Sequence, residues 1–463
     1  AQQFLGHFDI CQLFSTECST AAGYLLYDQL FSIGSDGKWY SDILKSYEWS
    51  TEAENQLGLT LQDNIYFSNG DQMTMEDVLY SMQRFAQSPR GATNFTVVDF
   101  DNSKISDDGM TLYLQYTQPY GPWQSGLNIF IMDKSFVEGL GDSPDWFSKD
   151  SVCGSGPYTV AKFVENSSIT LKANEKYWGK NKAKTPTVVV KYLADDNAAV
   201  NALKSGDVQV LAPITENLAE PFKSDSAKYT VKAGNGTDKF VLGFNNASGS
   251  KLADKRIRQA IRYAINHKEL IASRGGADKA LGGPIPSLDP GYEDLTNLYP
   301  YDQNKAEAGY SPDKPLQLTL TYANIYGTEL GDQLRSQLKP LGIDLKVNVV
   351  EFSTWLQDVY TNHTFDISLV DHNESHDFAS WTDPTYYFGY DNKNVTKLYN
   401  EGVAATSDKE RDAKFAAAAK LVSEDAPADW LFNYRITTAT AKGVEGFPFD
   451  LNQTVLPLSL IHI

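Results

Sequence analysis

A dense group of polar and aromatic side chains between residues 371 and 387 has the composition of a ligand-binding site. It follows the apolar segment 365–370, which predicts a strand, and ligands of α/β proteins often bind at strand ends. Carboxylates there can hold an ammonium group through charge-assisted hydrogen bonds, and aromatic rings can stack on sugar rings. The members of the group are Asp371, His372, Asn373, Glu374, His376, Asp377, Trp381, Tyr386 and Tyr387.

The same segment permits two further interpretations. His372, Glu374 and His376 alternate along the chain, and imidazole and carboxylate ligands suit nickel or zinc. These three side chains would share one face only if the chain stays extended beyond the strand. A solvated polar loop without any ligand is the simplest interpretation, so the segment alone does not decide the function.

Signatures of common enzyme classes are absent from the sequence. It has no phosphate-binding glycine loop, no Gly-x-Gly-x-x-Gly motif, no His-Glu-x-x-His helix and no Gly-x-Ser-x-Gly turn. We therefore predict a protein that is not an enzyme and that uses no cofactor or metal. Because a glycosidase needs only two carboxylates, a secreted glycoside hydrolase stays the alternative from another functional class.

The net charge and the hydropathy pattern exclude two kinds of partner. A formal net charge of −19 over 463 residues argues against nucleic acid, because its phosphates would be repelled. No run of 18 apolar residues occurs, so no transmembrane span is predicted. The sequence opens without a recognisable secretory signal, and if the protein is exported we expect that signal to have been removed.

Three cysteines bear on the compartment. Cys11 and Cys18 lie in a stretch rich in Ser and Thr, where a local disulfide and two separate thiols are both compatible with the sequence. Cys153 has no neighbouring metal-binding motif and is expected to be a small buried residue.

Helical and strand patterns alternate along the chain, which predicts an α/β architecture, and the length favours two or three cores. The helix from Asp254 should carry Arg256, Arg258 and Arg262 mostly on its polar side. Residues 343–349 alternate between apolar and polar side chains and predict a strand. Capping residues that predict helix starts are Thr74, Asp196, Asp254, Asn266 and Ser407.

Several segments match the motifs of one transporter family, in that family's order along the chain. They include Thr74-Met75-Glu76-Asp77-Val78, Gly154-Ser155-Gly156-Pro157-Tyr158, Asn174-Glu175-Lys176-Tyr177-Trp178, Ala202-Leu203-Lys204-Ser205-Gly206, Asp254-Lys255-Arg256-Ile257-Arg258 and Asp383-Pro384. On these residues the chain resembles the extracellular solute-binding proteins of ABC transporters that bind oligopeptides, dipeptides and nickel chelates (family 5).

The resemblance implies a bilobal α/β fold of the periplasmic-binding-protein type, with an extra subdomain in lobe I and a ligand enclosed by hinge closure. It implies the substrate-binding subunit of an importer, which works with separate permease and ATPase subunits in the membrane. The expected boundaries are residues 1–32 for the first part of lobe I, 33–152 for its extra subdomain, 153–243 for its second part, 244–434 for lobe II and 435–463 for the return to lobe I.

The resemblance also implies where the ligand binds. In the peptide binders of the family, the segment that matches Tyr27-Asp28-Gln29-Leu30 pairs with an extended ligand through its backbone. An aromatic residue after a strand-end Glu lines the pocket, and Phe352 after Glu351 matches it. Together with the group at 371–387, the candidate ligand-binding residues are Asp28, Gln29, Leu30, Phe352, Asp371, His372, Asn373, Glu374, Asp377, Trp381 and Tyr386.

One feature departs from the pattern of the peptide binders. They often place an Asp four residues before the Pro of Asp383-Pro384, where it holds the amino terminus of the peptide, and Ser380 stands there in this chain. Either Glu374 or Asp377 replaces that Asp, or the ligand has no ammonium group.

Peptide is the first expected ligand class, because it is the commonest class that the resemblance implies. Oligosaccharide is second, since the candidate wall is rich in aromatic residues, and a metal chelate is third. We expect a monomer outside the cytoplasm, either as a cell-surface lipoprotein of a Gram-positive bacterium or in a periplasm.

Overall fold

A computed structural model describes residues 8–10, 23–34, 38–88, 91, 94–146, 148–165, 167–193, 195–214, 216–310, 315–372, 377–405 and 407–450. The chain divides into two units, of which unit 1 comprises Ala1–Gly234 with Ile436–Ile463 and unit 2 comprises Asn235–Arg435. Unit 2 thus begins earlier than residue 244, the expected start of lobe II. Its last residue directly follows the expected end at residue 434. Cys11 and Cys18 lie outside the described residues.

The described part of unit 1 contains small sheets and short helices. Its strands are β1 (Ser32–Ile33), β2 (Trp39–Tyr40), β3 (Leu44–Trp49), β4 (Gln56–Leu61), β5 (Val98–Ile105), β6 (Thr111–Tyr116), β7 (Tyr158–Val164), β8 (Ser168–Ala173), β9 (Thr187–Lys191), β10 (Val210–Ile214), β11 (Tyr229–Gly234) and β17 (Ile436–Ala441). Its helices are α1 (Met75–Ala86), α2 (Trp123–Gly126), α3 (Lys134–Gly139), α4 (Asp196–Ser205) and α5 (Glu216–Lys223).

The strands of unit 1 form sheets with the orders β1-β2, β3-β4-β6-β5, β7-β8-β9 and β10-β17-β11. In β4, the side chains of Leu57, Leu59 and Leu61 are buried and alternate with more exposed ones, as expected of a strand with one covered face. The last sheet receives β17 from the end of the described chain, where it pairs antiparallel with both β10 and β11.

Capping residues define the helix starts of unit 1. Thr74 precedes α1, as predicted, and the Asp77 carboxylate accepts hydrogen bonds from the Thr74 backbone N–H at 2.8 Å and from its hydroxyl at 3.1 Å. The predicted cap of α4 was wrong by one residue. The N-cap residue is Asp195, whose side chain accepts from the Ala198 N–H at 2.8 Å.

Unit 2 is built on one five-stranded sheet with the order β14-β13-β15-β12-β16. These strands are β12 (Lys239–Phe244), β13 (Leu316–Ala323), β14 (Ile343–Val350), β15 (Ile367–His372) and β16 (Ala428–Asn433). Its helices are α6 (Lys255–Ala264), α7 (His267–Ser273), α8 (Gln303–Gly309), α9 (Glu329–Leu338), α10 (Phe352–Trp355), which a π-helical turn (Leu356–Thr361) continues, α11 (Lys393–Val403) and α12 (Asp408–Asp425).

The helix starts predicted at Asp254, Asn266 and Ser407 are confirmed, since each of these side chains accepts a hydrogen bond from the first turn of its helix. The predicted strand 343–349 is confirmed as β14. The two sides of the sheet in unit 2 carry separate apolar clusters, one around Leu320 and Leu369 and the other around Trp381 and Trp430.

The prediction that Arg258 and Arg262 lie on the polar side of their helix was wrong, because both are buried in unit 2. Arg258 donates to the Ala426 carbonyl at 2.9 Å. Arg262 donates to the Asp429 carboxylate at 3.0 Å and to the Ser423 carbonyl at 2.7 Å. Buried guanidinium groups need such partners, and here they come from the chain around 423–429.

None of the helices in the described ranges combines the length and the apolar character that crossing a membrane would require.

Candidate ligand-binding site

The candidate residues of unit 2 gather at one edge of its sheet. Strands β14, β13 and β15 run parallel, so their carboxyl ends lie at the same edge. Phe352 follows β14, Tyr326 follows β13, and Asp371 and His372 end β15. Lys239, the first residue of the antiparallel β12, pairs with His372 and therefore lies at this edge too. The topology thus brings together residues from four strands that are far apart in sequence.

Asp371 has an internal partner at this edge. Its carboxylate accepts a hydrogen bond from the Tyr326 hydroxyl, and the same hydroxyl oxygen accepts from the Asp371 backbone N–H at 3.3 Å. Burial, and next the nearby Asp371 carboxylate, raise the pKa of Tyr326 well above its ordinary value, so the phenol remains a donor. Tyr326 therefore fixes the Asp371 carboxylate in place.

Asp377 is the centre of a buried polar network. Lys239 Nζ lies 3.1 Å from Asp377 Oδ1, and the side chain of this lysine is only 1% exposed. His372 Nδ1 lies 3.4 Å from Asp377 Oδ2. Burial alone would raise the pKa of Asp377, but the Lys239 charge and the His372 contact outweigh it and lower that pKa below its ordinary value. The negative charge of Asp377 is therefore compensated within unit 2.

His372 is held from both sides. Its Nε2 lies 3.1 Å from the Tyr387 hydroxyl, and burial raises the pKa of Tyr387 far above its ordinary value, so the hydroxyl stays protonated and can donate. This leaves the Nδ1–H of His372 to donate to Asp377. The imidazole thereby links the end of β15 to the aromatic segment that follows.

The aromatic candidates differ in their exposure. Trp381 is 2% exposed and stacks on Phe388 with 4.7 Å between ring centroids, so it belongs to the core of unit 2. Tyr386 is partly exposed and packs on Tyr387. Phe352 is 43% exposed and stacks on Trp355 with an angle of 13° between the rings. Phe352 thus presents the most accessible aromatic surface of these three candidates.

Asn373, Glu374 and His376 lie outside the described residues. Among the residues that the structure does describe, no group of three His, Cys, Asp or Glu side chains is arranged to hold a metal ion. The His-x-Glu-x-His interpretation therefore stays a prediction. Cys153 is buried, as expected from the sequence, and its thiol is not in a disulfide.

The candidate residues of unit 1 form a short extended segment with one unused side. Leu30 N–H donates to the Ile129 carbonyl at 2.9 Å, and Ile131 N–H donates to the Asp28 carbonyl at 3.0 Å. These two bonds flank an antiparallel bridge between Gln29 and Phe130. In such a pair the N–H and C=O of Gln29 point away from Phe130, and within the described ranges they have no hydrogen-bond partner. The segment can therefore accept one more extended chain at Gln29.

The Asp28 side chain is partly buried beside this segment. Its carboxylate accepts hydrogen bonds from Trp178 Nε1 at 2.7 Å and from the Tyr177 hydroxyl at 3.4 Å. Burial raises its pKa from 3.8 to about 6, although the hydrogen bonds oppose the shift. Leu30, by contrast, is fully buried and contributes to the core of unit 1.

Replacing Asp28 by Asn is expected to raise the free energy of unfolding at pH 7.5 by about 1–3 kcal/mol. The folded carboxyl has a pKa of about 6 against 3.8 when unperturbed, so the folded state loses stability as the pH rises from about 4 to 6. Asn keeps an oxygen acceptor for Trp178 Nε1 and carries no charge. Urea titrations at pH 7.5 and pH 4.0 should show most of the difference only at pH 7.5. A difference of equal size at both pH values would contradict this explanation.

Sequence reasoning missed several residues that organise the site. Lys239 and Tyr326 were not singled out, although a lysine at the start of the otherwise apolar segment 239–244 is a detectable signal. Tyr177 and Trp178 were noticed only as a motif, and their contact with Asp28 joins residues about 150 positions apart. No spacing rule links such distant positions.

Solved structures share the fold of this chain. The ABC transporter substrate-binding protein CtaP from Listeria monocytogenes matches it with a TM-score of 0.87 at 20% sequence identity, covering 100% of this chain and 98% of that one. Together with the division of the chain into two units, this match identifies the fold class. The chain has the predicted bilobal α/β fold of the periplasmic binding proteins.

The family follows from the sequence match. The family described as bacterial extracellular solute-binding proteins, family 5 (middle region), matches residues 38–395, and the chain belongs to this family. The predicted family and its role are thereby confirmed: the protein is a substrate-binding subunit of an ABC transporter. The family is extracytoplasmic and consists of non-enzymatic solute-binding proteins.

Two curated relatives cover most of the chain. The probable D,D-dipeptide-binding periplasmic protein DdpA of Escherichia coli (strain K12) is 27% identical over 460 residues, which span 92% of this chain and 86% of that protein. The periplasmic murein peptide-binding protein MppA of the same strain is 23% identical over 449 residues, which span 87% of this chain and 81% of that protein.

Proposed function

We propose that this protein captures oligopeptides outside the cytoplasm and delivers them to the permease of an ABC importer. The observation that carries the proposal is the unused backbone side of Gln29. An extended peptide that pairs there gains main-chain hydrogen bonds whatever its sequence, while its alternate side chains remain free to be selected. Peptide-binding relatives support the same ligand class.

The proposal includes several further features. The permease and ATPase subunits are the membrane partners, the protein acts as a monomer, and it performs no covalent chemistry. It resides in a periplasm or on a Gram-positive surface as a lipoprotein. The boundaries of the two lobes, with an extra subdomain at 33–152, remain part of the proposal, as does closure of the lobes on the ligand.

Free peptides are expected to raise the melting temperature, because a ligand that binds only the folded state stabilises it. At 100 times the dissociation constant, the stabilisation is about 2.7 kcal/mol, which shifts the melting temperature by several degrees. Differential scanning fluorimetry with defined pools of two- to five-residue peptides measures this shift. Pools that leave the melting temperature unchanged at millimolar concentration would contradict the peptide assignment.

An oligosaccharide is the second candidate ligand, and the exposed ring of Phe352 favours it. Replacing Phe352 by Ala separates the two ligand classes. Stacking on this ring would supply much of the affinity for a sugar, so sugar binding should fall by about 1–3 kcal/mol, whereas a peptide held mainly through its backbone should lose less than 1 kcal/mol. Isothermal titration of the wild type and of Phe352→Ala with the ligand from the thermal screen measures the loss of binding free energy.

A further inference from the structure

Asp28 differs from Asp377 in the charge of its hydrogen-bond partners. Asp377 contacts the Lys239 ammonium. Asp28 accepts only from neutral donors in the part of the chain that the structure describes, with Trp178 Nε1 at 2.7 Å and the Tyr177 hydroxyl at 3.4 Å. The charged form of Asp28 is therefore hydrogen-bonded but not neutralised.

The surroundings of Asp28 add negative rather than positive charge. The exposed carboxylate of Asp42 also acts on Asp28 and raises its pKa further. Tyr177 is a further titratable group that contacts Asp28 in the described part of the chain, and burial raises the pKa of its phenol well above the ordinary value, so it stays neutral. A charge that costs stability and has no internal counter-ion is typical of a functional position.

The position of Asp28 in the chain points to the ligand. It immediately precedes Gln29, whose N–H and C=O point away from Phe130, and its side chain is only partly buried. A peptide paired with Gln29 would pass within a residue of this carboxylate. A cation on that peptide would supply the missing positive partner.

We propose that the Asp28 carboxylate binds a cationic group of the peptide, either an ammonium or a guanidinium, and thereby selects the peptides that are captured. This inference rests on the proposed function and deepens it. It also accounts for the missing Asp at Ser380, because the receptor for the peptide charge would lie in unit 1. Asp377 would then serve to hold Lys239 and His372 in place.

Binding of the cation would be coupled to release of a proton. Near pH 6 the Asp28 carboxyl is about half protonated, since its pKa is about 6. A cation beside it favours the ionised form, so each bound peptide would release about half a proton at this pH. A purely structural role for Asp28 would produce no such release on ligand binding.

The test is isothermal titration at pH 6.0 in phosphate and in imidazole, buffers that differ in their enthalpy of ionisation. The probes are tri-alanine, N-acetyl-tri-alanine and N-acetyl-Ala-Lys-Ala, and the proteins are the wild type, Asp28→Asn and Asp42→Asn. We expect at least one cationic probe to bind the wild type with proton release and to lose affinity about 10- to 100-fold in Asp28→Asn. Asp42→Asn should change the affinity less than threefold.

The three probes separate the sources of the charge. Loss confined to tri-alanine assigns the terminal ammonium to Asp28, and loss confined to N-acetyl-Ala-Lys-Ala assigns a side-chain cation. Probes that bind the wild type and Asp28→Asn equally, without proton release, would overturn the inference and leave the peptide assignment standing. If none of the three binds, and the peptide pools also fail to stabilise the protein, the proposed function fails and the inference falls with it.

Discussion

Replacing Asp377 by Ala is expected to lower the free energy of unfolding by about 3–5 kcal/mol. The substitution removes the Asp377 carboxylate from beside the Lys239 ammonium, whose side chain is only 1% exposed, and the Thr237 carbonyl at 3.5 Å remains as an acceptor. It also removes the acceptor of His372 Nδ1, so the start of β12 and the end of β15 each lose one contact. Chemical denaturation at pH 7.5, followed by tryptophan fluorescence, measures the loss.

A surface ion pair of the same length provides the control. Lys393 Nζ lies 3.1 Å from Asp391 Oδ1, but both side chains are largely exposed. Asp391→Ala should therefore cost no more than about 1 kcal/mol. A second variant, Lys239→Met combined with Asp377→Leu, removes both buried charges and should recover much of the lost stability. Equal effects of Asp377→Ala and Asp391→Ala would contradict the burial argument.

Replacing Gln29 by Pro is expected to weaken peptide binding by about 1–3 kcal/mol, which corresponds to roughly a 5- to 150-fold rise in the dissociation constant. Proline has no N–H, so one main-chain bond to the ligand is lost and the ligand carbonyl is left without a donor. The N–H of Gln29 has no partner in the described ranges of the folded protein, so stability should fall far less than affinity.

Gln29→Ala is the matched control for this prediction, because it keeps the backbone donor and acceptor while it removes the side chain. It should bind the same peptide within about threefold of the wild type. Titration calorimetry gives the affinities, and thermal melting without ligand gives the stabilities. If Gln29→Ala and Gln29→Pro lose affinity equally, the ligand contacts the Gln29 side chain and strand pairing at this residue is wrong.

Local patterns predicted the elements of the fold well. Thr74 and Asp254 were recognised as helix caps because capping depends on residues within one turn, and β14 was recognised from its period of two. The error at Asp196 is of the same local kind, since two adjacent Asp residues can each cap the helix and only the backbone geometry decides.

Residues whose partners are distant in sequence were predicted poorly. Arg262 looks like a surface residue on its own helix, but its partner Asp429 is 167 residues away. Lys239 and Asp377 likewise meet only because β12 lies beside β15 in the sheet. Burial of a charge depends on such tertiary pairs, and no periodicity in one sequence reveals them. The motifs therefore indicated candidate segments but not the contacts that these segments make.

The candidate site shows the same contrast between local patterns, which the sequence reveals, and distant contacts, which it does not. The sequence located the segments 27–30 and 371–387, which the family resemblance associates with ligand. It did not indicate that Asp371 and Asp377 already have internal partners, or that every donor to Asp28 within the described ranges is neutral. Whether a carboxylate is occupied by an internal partner or is available to a ligand depends on distances of a few ångströms. Only the folded chain specifies these distances.

Native mass spectrometry tests the central claim most directly. The protein is mixed with an equimolar pool of defined two- to five-residue peptides, exchanged into a volatile buffer and analysed intact, and the bound fraction is then released and sequenced. We predict one peptide per protein, recovered unchanged and enriched over the pool. Recovery of peptide fragments, or a protein that retains no peptide while it binds an oligosaccharide from a parallel pool, would contradict the assignment as a peptide-capturing subunit.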